Sequence, residues 1–257
     1  MSEDRTPVLD VQGLGIDFGG LTAVNEFSLR VFNEEIVGLI GPNGAGKTTV
    51  FNMLTKVYQP SRGTISFCGQ DTAKLSVVEM NKLGIARTFQ NIRLFTNLSV
   101  LDNVRIGMHN KITYSNIDAV FRLPKYYQQE KEVEERAMEL LKIFSLADKA
   151  KITAGNLPYG AQRRLEIARA MATEPKLLLL DEPAAGMNPQ ETEELMSMIR
   201  FVRDHFRIAV LLIEHDMKLV MGICERITVL NYGMMLAEGT PAEIQANPQV
   251  IKAYLGE

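Results

Sequence analysis

The sequence predicts an α/β fold with a mainly parallel sheet, and three observations carry that prediction. The apolar runs Ile36 to Ile40, Leu177 to Leu180 and Ile208 to Ile213 lack the alternation of a half-wet strand and read as strands buried on both faces. Each run is followed by residues suited to chemistry rather than packing: Gly41, Asp181, and Glu214-His215-Asp216. Between the first two runs the period changes to that of a helix. Val133, Ala137, Leu140, Leu141 and Phe144 fall on one face, with Glu132, Glu135, Arg136 and Glu139 off it as a solvated face.

The remaining elements follow in order. From Val8 to Val31 short alternating runs, broken by Gly19-Gly20 and Asn25-Glu26, predict antiparallel strands, and Gly63 to Phe67 predicts another. Residues 111–129 carry aromatics and Pro124 without clear periodicity, which fits either a loop or an inserted short helix. Thr240-Pro241-Ala-Glu243 places a hydroxyl cap, a first-turn proline and a back-reaching glutamate, so a helix starts there for structural reasons.

Of 257 residues 46% are hydrophobic, enough for a substantial core, and a net charge of -3 lacks the basic footprint of a general nucleic-acid binder. No apolar run has bilayer-spanning length, and the start Met-Ser-Glu-Asp-Arg lacks a secretory pattern, so a cytoplasmic protein is expected. Cys68 and Cys224 have no C-x-x-C partner and read as two reduced, packed thiols.

The chemistry starts at Gly41-Pro42-Asn43-Gly44-Ala45-Gly46-Lys47-Thr48, which follows a buried strand and opens a helical run from Thr49 to Leu54. Bare backbone N–H groups in such a loop wrap phosphate oxygens, and the helix points its positive end at them. The four fixed positions arise by accident in roughly one chain of this length in a hundred. Lys47 reaches the β- and γ-phosphates, and the Thr48 hydroxyl holds Mg²⁺. Asp181, ending a neighbouring strand, is the candidate to hold that ion through its water shell, and Glu182 can orient or deprotonate a water. His215 lies at the same rim of the sheet, where it can donate to a γ-phosphate, and the Gln90 amide oxygen can coordinate the ion.

The segment Asn156-Leu-Pro-Tyr159-Gly160-Ala161-Gln-Arg-Arg-Leu-Glu-Ile-Ala-Arg-Ala170 resembles the signature of ABC transporter ATPases, and the order of motifs matches that family over nearly the whole chain. Arg87 to Phe95, Glu182 to Pro189 and the ending Ile-Lys-Ala-Tyr-Leu-Gly256 look like the ATPase subunit of branched-chain amino acid importers. The resemblance implies one ABC ATPase domain over 1–257 with a P-loop NTPase (RecA-like) core. Its expected parts are an antiparallel β subdomain (1–35 and 60–75), the nucleotide core (36–59 and 165–240), a helical signature subdomain (91–164) and a C-terminal helix (241–257).

By the same resemblance Phe18 stacks on adenine, Val24 packs nearby, and Gly41 to Thr49 bind the phosphates of ATP. Thr48, Gln90 and Asp181 hold Mg²⁺, Glu182 is the catalytic base, and His215 senses the γ-phosphate. Two ATPase subunits, alike or related, would face head to tail, so that Tyr159, Gly160 and Ala161 meet the nucleotide of the partner. Here Pro158, Tyr159 and Ala161 replace the serine, first glycine and glutamine of the usual signature, and Asn188 replaces an aspartate. Leu94, Phe95 and Leu98 either line a groove for a membrane subunit or belong to an ordinary core. The implied partners are a second ATPase and integral permease subunits, which hold the chain on the inner membrane face. Neither nucleic acid nor the transported solute is an expected contact.

Rival readings are an ABC ATPase for another solute or lipid export, and one acting on nucleic acid or ribosomes. A GTPase reading fails because Asp10-Val-Gln-Gly13 precedes the phosphate loop and Asn81-Lys-Leu-Gly84 lacks the guanine-reading aspartate.

Overall fold

The structure is a computed structural model that describes residues 6–111 and 113–255, so the N-terminal Met-Ser-Glu-Asp-Arg, Ile112, Gly256 and Glu257 lie outside the described residues. The chain forms two compact units, one of Met1–Gln90 with Lys176–Glu257 and one of Asn91–Pro175.

The first unit holds strands β1 (Leu9–Phe18), β2 (Leu21–Val31), β3 (Ile36–Ile40), β4 (Arg62–Phe67), β5 (Gln70–Asp71), β6 (Ile85–Arg87), β7 (Leu177–Asp181), β8 (Ala209–Ile213), β9 (Arg226–Asn231) and β10 (Met234–Gly239). They make an antiparallel sheet ordered β2-β1-β4-β5 and a six-stranded sheet ordered β10-β9-β3-β8-β7-β6. In the second sheet β3 runs parallel to β8 and β9, and β7 parallel to β6 and β8. Every residue of β3, β7 and β8 is buried, as their unbroken apolar runs require. β10 is antiparallel to β9 and closes that edge.

One apolar core joins Leu14, Phe27 and Phe67 of the antiparallel sheet to Leu39, Leu179 and Leu211 of the mixed sheet and to Phe51 on the helix Lys47–Leu54. Gly19 and Gly20, with φ 51° and 90°, form the tight turn between β1 and β2. Asn25-Glu26 does not break the chain into separate strands. It stays inside β2 as a bulge, with Glu26 at φ 50° and the register slipping between Leu14↔Phe27 and Ile16↔Val24.

Thr240 caps the helix Pro241–Ala246 through a reciprocal bond with Glu243. The stretch 241–257 holds a second helix, Pro248–Leu255, rather than one continuous helix, because Pro248 has no N–H to continue the first and forces Asn247 to extended backbone (ψ 116°). Cys224 is buried, its thiol pushed up to about 12, first by burial and then by Glu225 and Glu214. Cys68, expected to be packed, is exposed, since it sits on the β4–β5 turn at φ 50° beside Gly69.

The second unit contains the helices Val100–Gly107, Asn116–Val120, Pro124–Ile143 and Tyr159–Met171. Within 113–129 the short-helix alternative holds: Ser115 and Asp118 form a capping box, and Pro124 opens the next helix. That helix buries Ala137, Leu140 and Leu141 and exposes Glu132, Glu135, Arg136 and Glu139. Gly107 lies so close to the last helix that a Cβ there would sit 2.5 Å from the Arg169 carbonyl oxygen. Because Tyr159–Met171 is one uninterrupted helix, the helical unit runs past position 164 to Pro175.

Candidate functional site

The phosphate loop turns between β3 and the helix Lys47–Leu54 on glycines at φ 153° (Gly41), 78° (Gly44) and 103° (Gly46, the helix N-cap). A Cβ on Gly41 would stand 2.0 Å from the Leu230 carbonyl oxygen and one on Gly46 2.9 Å from that of Ala23, so both positions need glycine for space as well as for conformation. Lys47 folds back over this loop, its ammonium donating to the carbonyls of Gly41 at 2.7 Å and Pro42 at 2.9 Å. Burial pushes that ammonium down, while Glu182 and Asp181 pull it back up.

Asp181 ends β7 with a side chain only 6% exposed, its Oδ2 accepting from Arg87 Nη2 at 2.7 Å. Glu182 leaves the sheet at φ 46°, a left-handed conformation unusual outside glycine, with its N–H donating to the Ile213 carbonyl at 2.9 Å. Its carboxylate is gripped at both ends: Gln90 Nε2 donates to Oε2 at 2.7 Å, and His215 Nε2 lies 2.7 Å from Oε1. Gln90, Glu182 and His215, 125 residues apart in sequence from first to last, thus form one chain of contacts.

Glu214 holds the two acidic loops together from beneath. It is 3% exposed, with Oε1 accepting from the Ala184 N–H at 2.7 Å and Oε2 from those of His215 at 2.9 Å and Asp216 at 3.2 Å. Above these groups opens a cleft of about 470 Å³, bounded by Asn43 to Thr49, Glu182 and His215, and on the far side by Leu21 to Ala23 and by Tyr232-Gly233.

Phe18 is 43% exposed at the end of β1 and meets Tyr58 edge to face at 5.3 Å. Val24 is fully buried in the core and lies under Gly46. In the second unit Tyr159 is exposed and Gly160 half-buried at the first turn of their helix, while Ala161 is 3% exposed. Pro158 is the N-cap, and no side chain caps that helix start. Phe95 and Leu98 are exposed and Leu94 is half-buried, so this trio is not ordinary core. Asn188 has a local task, accepting from Glu191 N–H and receiving Glu191 on its own N–H, both at 3.0 Å, as the cap of the helix Pro189–Phe206.

Sequence reasoning missed Glu214 as a loop tie, Arg87 as the partner of Asp181, and Tyr232 at the cleft mouth. The first two could have been sought as charges flanking buried strands; Tyr232 carries no comparable signal.

An ABC transporter family model matches residues 24–185, and one for the branched-chain amino acid ATP-binding cassette transporter matches 235–257. The high-affinity branched-chain amino acid transport ATP-binding protein LivG of Escherichia coli K12 is 49% identical over 251 residues, covering 98% of each chain. The lipopolysaccharide export system ATP-binding protein LptB of Acidithiobacillus ferridurans is 35% identical, covering 97% of each. A crystal structure of an ATP-binding cassette of an ABC transporter in its ADP conformation superposes with a TM-score of 0.85 at 28% identity, over 98% of this chain and all of that one. With its phosphate loop, paired acids and these matches, the chain belongs to the ABC transporter ATPases, enzymes that bind and hydrolyse nucleotide.

Proposed function

We propose that this ATPase is the energy-coupling subunit of an importer for branched-chain amino acids. The observation that carries the ATP-hydrolysing part of the reading is the Glu182 carboxylate, held at 2.7 Å by Gln90 and by His215 in the cleft that Lys47 and Thr48 line. The difference between 49% identity to the branched-chain protein and 35% to the lipopolysaccharide export protein supports import of amino acids over lipid export.

In this reading the amides of Gly41 to Thr49 wrap the phosphates of ATP, and Lys47 exchanges two loop carbonyls for the β- and γ-phosphates. Thr48, Asp181 and Gln90 supply hard oxygen donors for Mg²⁺. Among the described residues no three His, Cys, Asp or Glu cluster as a protein cage. That donor set fits an ion which keeps several waters and shares the substrate's phosphates. When bound, the ion neutralises charge on the phosphoryl group. Glu182 takes the proton of the attacking water, while Gln90 and His215 fix the direction of its carboxylate. His215, at the cleft wall, also meets the γ-phosphate. Phe18, backed by Tyr58, offers an exposed ring to adenine, and Val24 supports the loop from below.

A second ATPase, identical or related, faces this one head to tail. The uncapped helix start at Tyr159 and Gly160, with the backbone of Ala161, then serves the partner's nucleotide through N–H groups, since the signature serine is replaced by Pro158. The exposed Phe95 and Leu98 receive a membrane subunit. Among the described residues no helix is long and apolar enough to cross a membrane. In this reading the membrane subunits hold the chain at the inner face. The solute itself touches only its partners.

The test is isolation of the complex from native membranes, identification of its other chains, and assay in vesicles. ATP-dependent accumulation of leucine, isoleucine or valine supports the reading. Extraction of lipid, or no associated integral protein, contradicts it.

A further inference from the structure

Arg87 has no part in the roles above, yet it sits among the groups that matter most. It ends β6, three residues before Gln90, with a side chain 7% exposed. One guanidinium nitrogen donates to Asp181 Oδ2 at 2.7 Å and the other to Asn52 Oδ1 at 2.7 Å. The guanidinium also lies 5.5 Å from the Phe51 ring centre and 5.0 Å from that of Phe89. Only an arginine fork can hold two separate acceptors while resting on aromatic rings; a lysine ammonium is a point charge without that plane.

Two consequences follow from this placement. Asp181 turns Oδ2 to Arg87, which fixes the plane of the carboxylate and with it the direction of Oδ1. Asn52 stands one helical turn beyond Thr48 on the helix Lys47–Leu54, so the same cation ties that helix to β7. The hydroxyl and the carboxylate come from different elements, and Arg87 spans them.

We propose that Arg87 is a positioning residue for the magnesium site, setting Asp181 relative to Thr48 through its bridge to Asn52. The proposal rests on the reading of Asp181 and Thr48 as the residues that hold Mg²⁺. Partners behind metal ligands typically contribute ten- to hundred-fold in metal affinity.

The experiment measures binding of a fluorescent ATP analogue to the full-length chain during a Mg²⁺ titration, and again in EDTA. For Arg87→Met the Mg²⁺ midpoint should rise by about tenfold or more, with metal-free affinity within about twofold of wild type. Asn52→Ala should shift the midpoint in the same direction by a smaller factor. It keeps both charges, and carries the test if Arg87→Met fails to fold with Asp181 left buried and unpaired. Asp181→Asn should lose the Mg²⁺ enhancement. If Asp181→Asn loses it while Asn52→Ala and any folded Arg87→Met keep the wild-type midpoint, the bridge is wrong and the site reading stands. An equal loss of metal-free affinity also overturns the bridge. If Asp181→Asn keeps the full enhancement, the site reading itself fails and the bridge with it.

Discussion

Glu214→Ala removes the acceptor that joins the loop after β7 to the loop after β8. Three backbone N–H groups, those of Ala184, His215 and Asp216, lose their partner in a place where the side chain is 3% exposed. Each stranded donor costs about 1–3 kcal/mol. Against that stands the relief of no longer burying a carboxylate: burial pushes Glu214 up, while the N–H groups of Ala184, Asp216 and His215 pull it back down. The net expectation is a loss of about 2–4 kcal/mol in urea denaturation at neutral pH. ATP turnover, measured where the variant is still folded, should fall as well, because Glu182 and His215 both lie on the loops so released. The pH dependence has a definite sign. A folded carboxyl raised above its ordinary value of 4.5 takes up its proton before the unfolded one as pH falls. The extra stability that comes from protonating this carboxyl is therefore present below that ordinary value and lost as pH rises through the raised one, while its hydrogen bonds to the three N–H groups remain. Glu214→Gln should flatten the decline and cost less than alanine. A loss under about 0.5 kcal/mol for Glu214→Ala, with wild-type turnover, would show that Glu214 does not tie the two loops.

Three further outcomes concern the two units separately. Gly107→Ala should lower stability by about 1–3 kcal/mol in thermal melting, since its Cβ would press on the Arg169 carbonyl, and an unchanged melt contradicts that packing. Asn188→Ala should cost about 1 kcal/mol through loss of a helix cap, whereas Asn188→Asp should be neutral or slightly stabilising at the helix N-terminus. Phe18→Ala should weaken ATP binding by about 1 kcal/mol in titration calorimetry, and equal ATP and GTP affinity in both proteins would count against stacking.

The parts of the fold that were legible in sequence are those where one physical demand acts alone. Strands buried on both faces must be apolar throughout, so β3, β7 and β8 stood out, and the phosphate loop needs glycines where backbone must approach backbone. β6, β9 and β10 were missed because they are short or mixed, and only pairing makes them strands: β6 with β7, β9 with β3, and β10 with β9. Asn25-Glu26 looked like a break because a bulge and a turn share the same polar residues. The acids and His215 could be placed at one rim from strand ends alone. Their actual contacts could not, since Gln90 meets Glu182 across 92 residues and Arg87 meets Asp181 across 94. Cys68 misled because cysteine is usually packed, whereas here its turn position decides.

In the proposed function Glu182 is the base for ATP hydrolysis in this cleft. Steady-state phosphate release and bound-nucleotide analysis of Glu182→Gln, beside wild type, test it most directly, because the amide keeps the shape and removes the base. Turnover should fall by about a hundredfold or more while ATP binding persists and intact ATP is retained in a closed dimer. Phosphate release at the wild-type rate would contradict it.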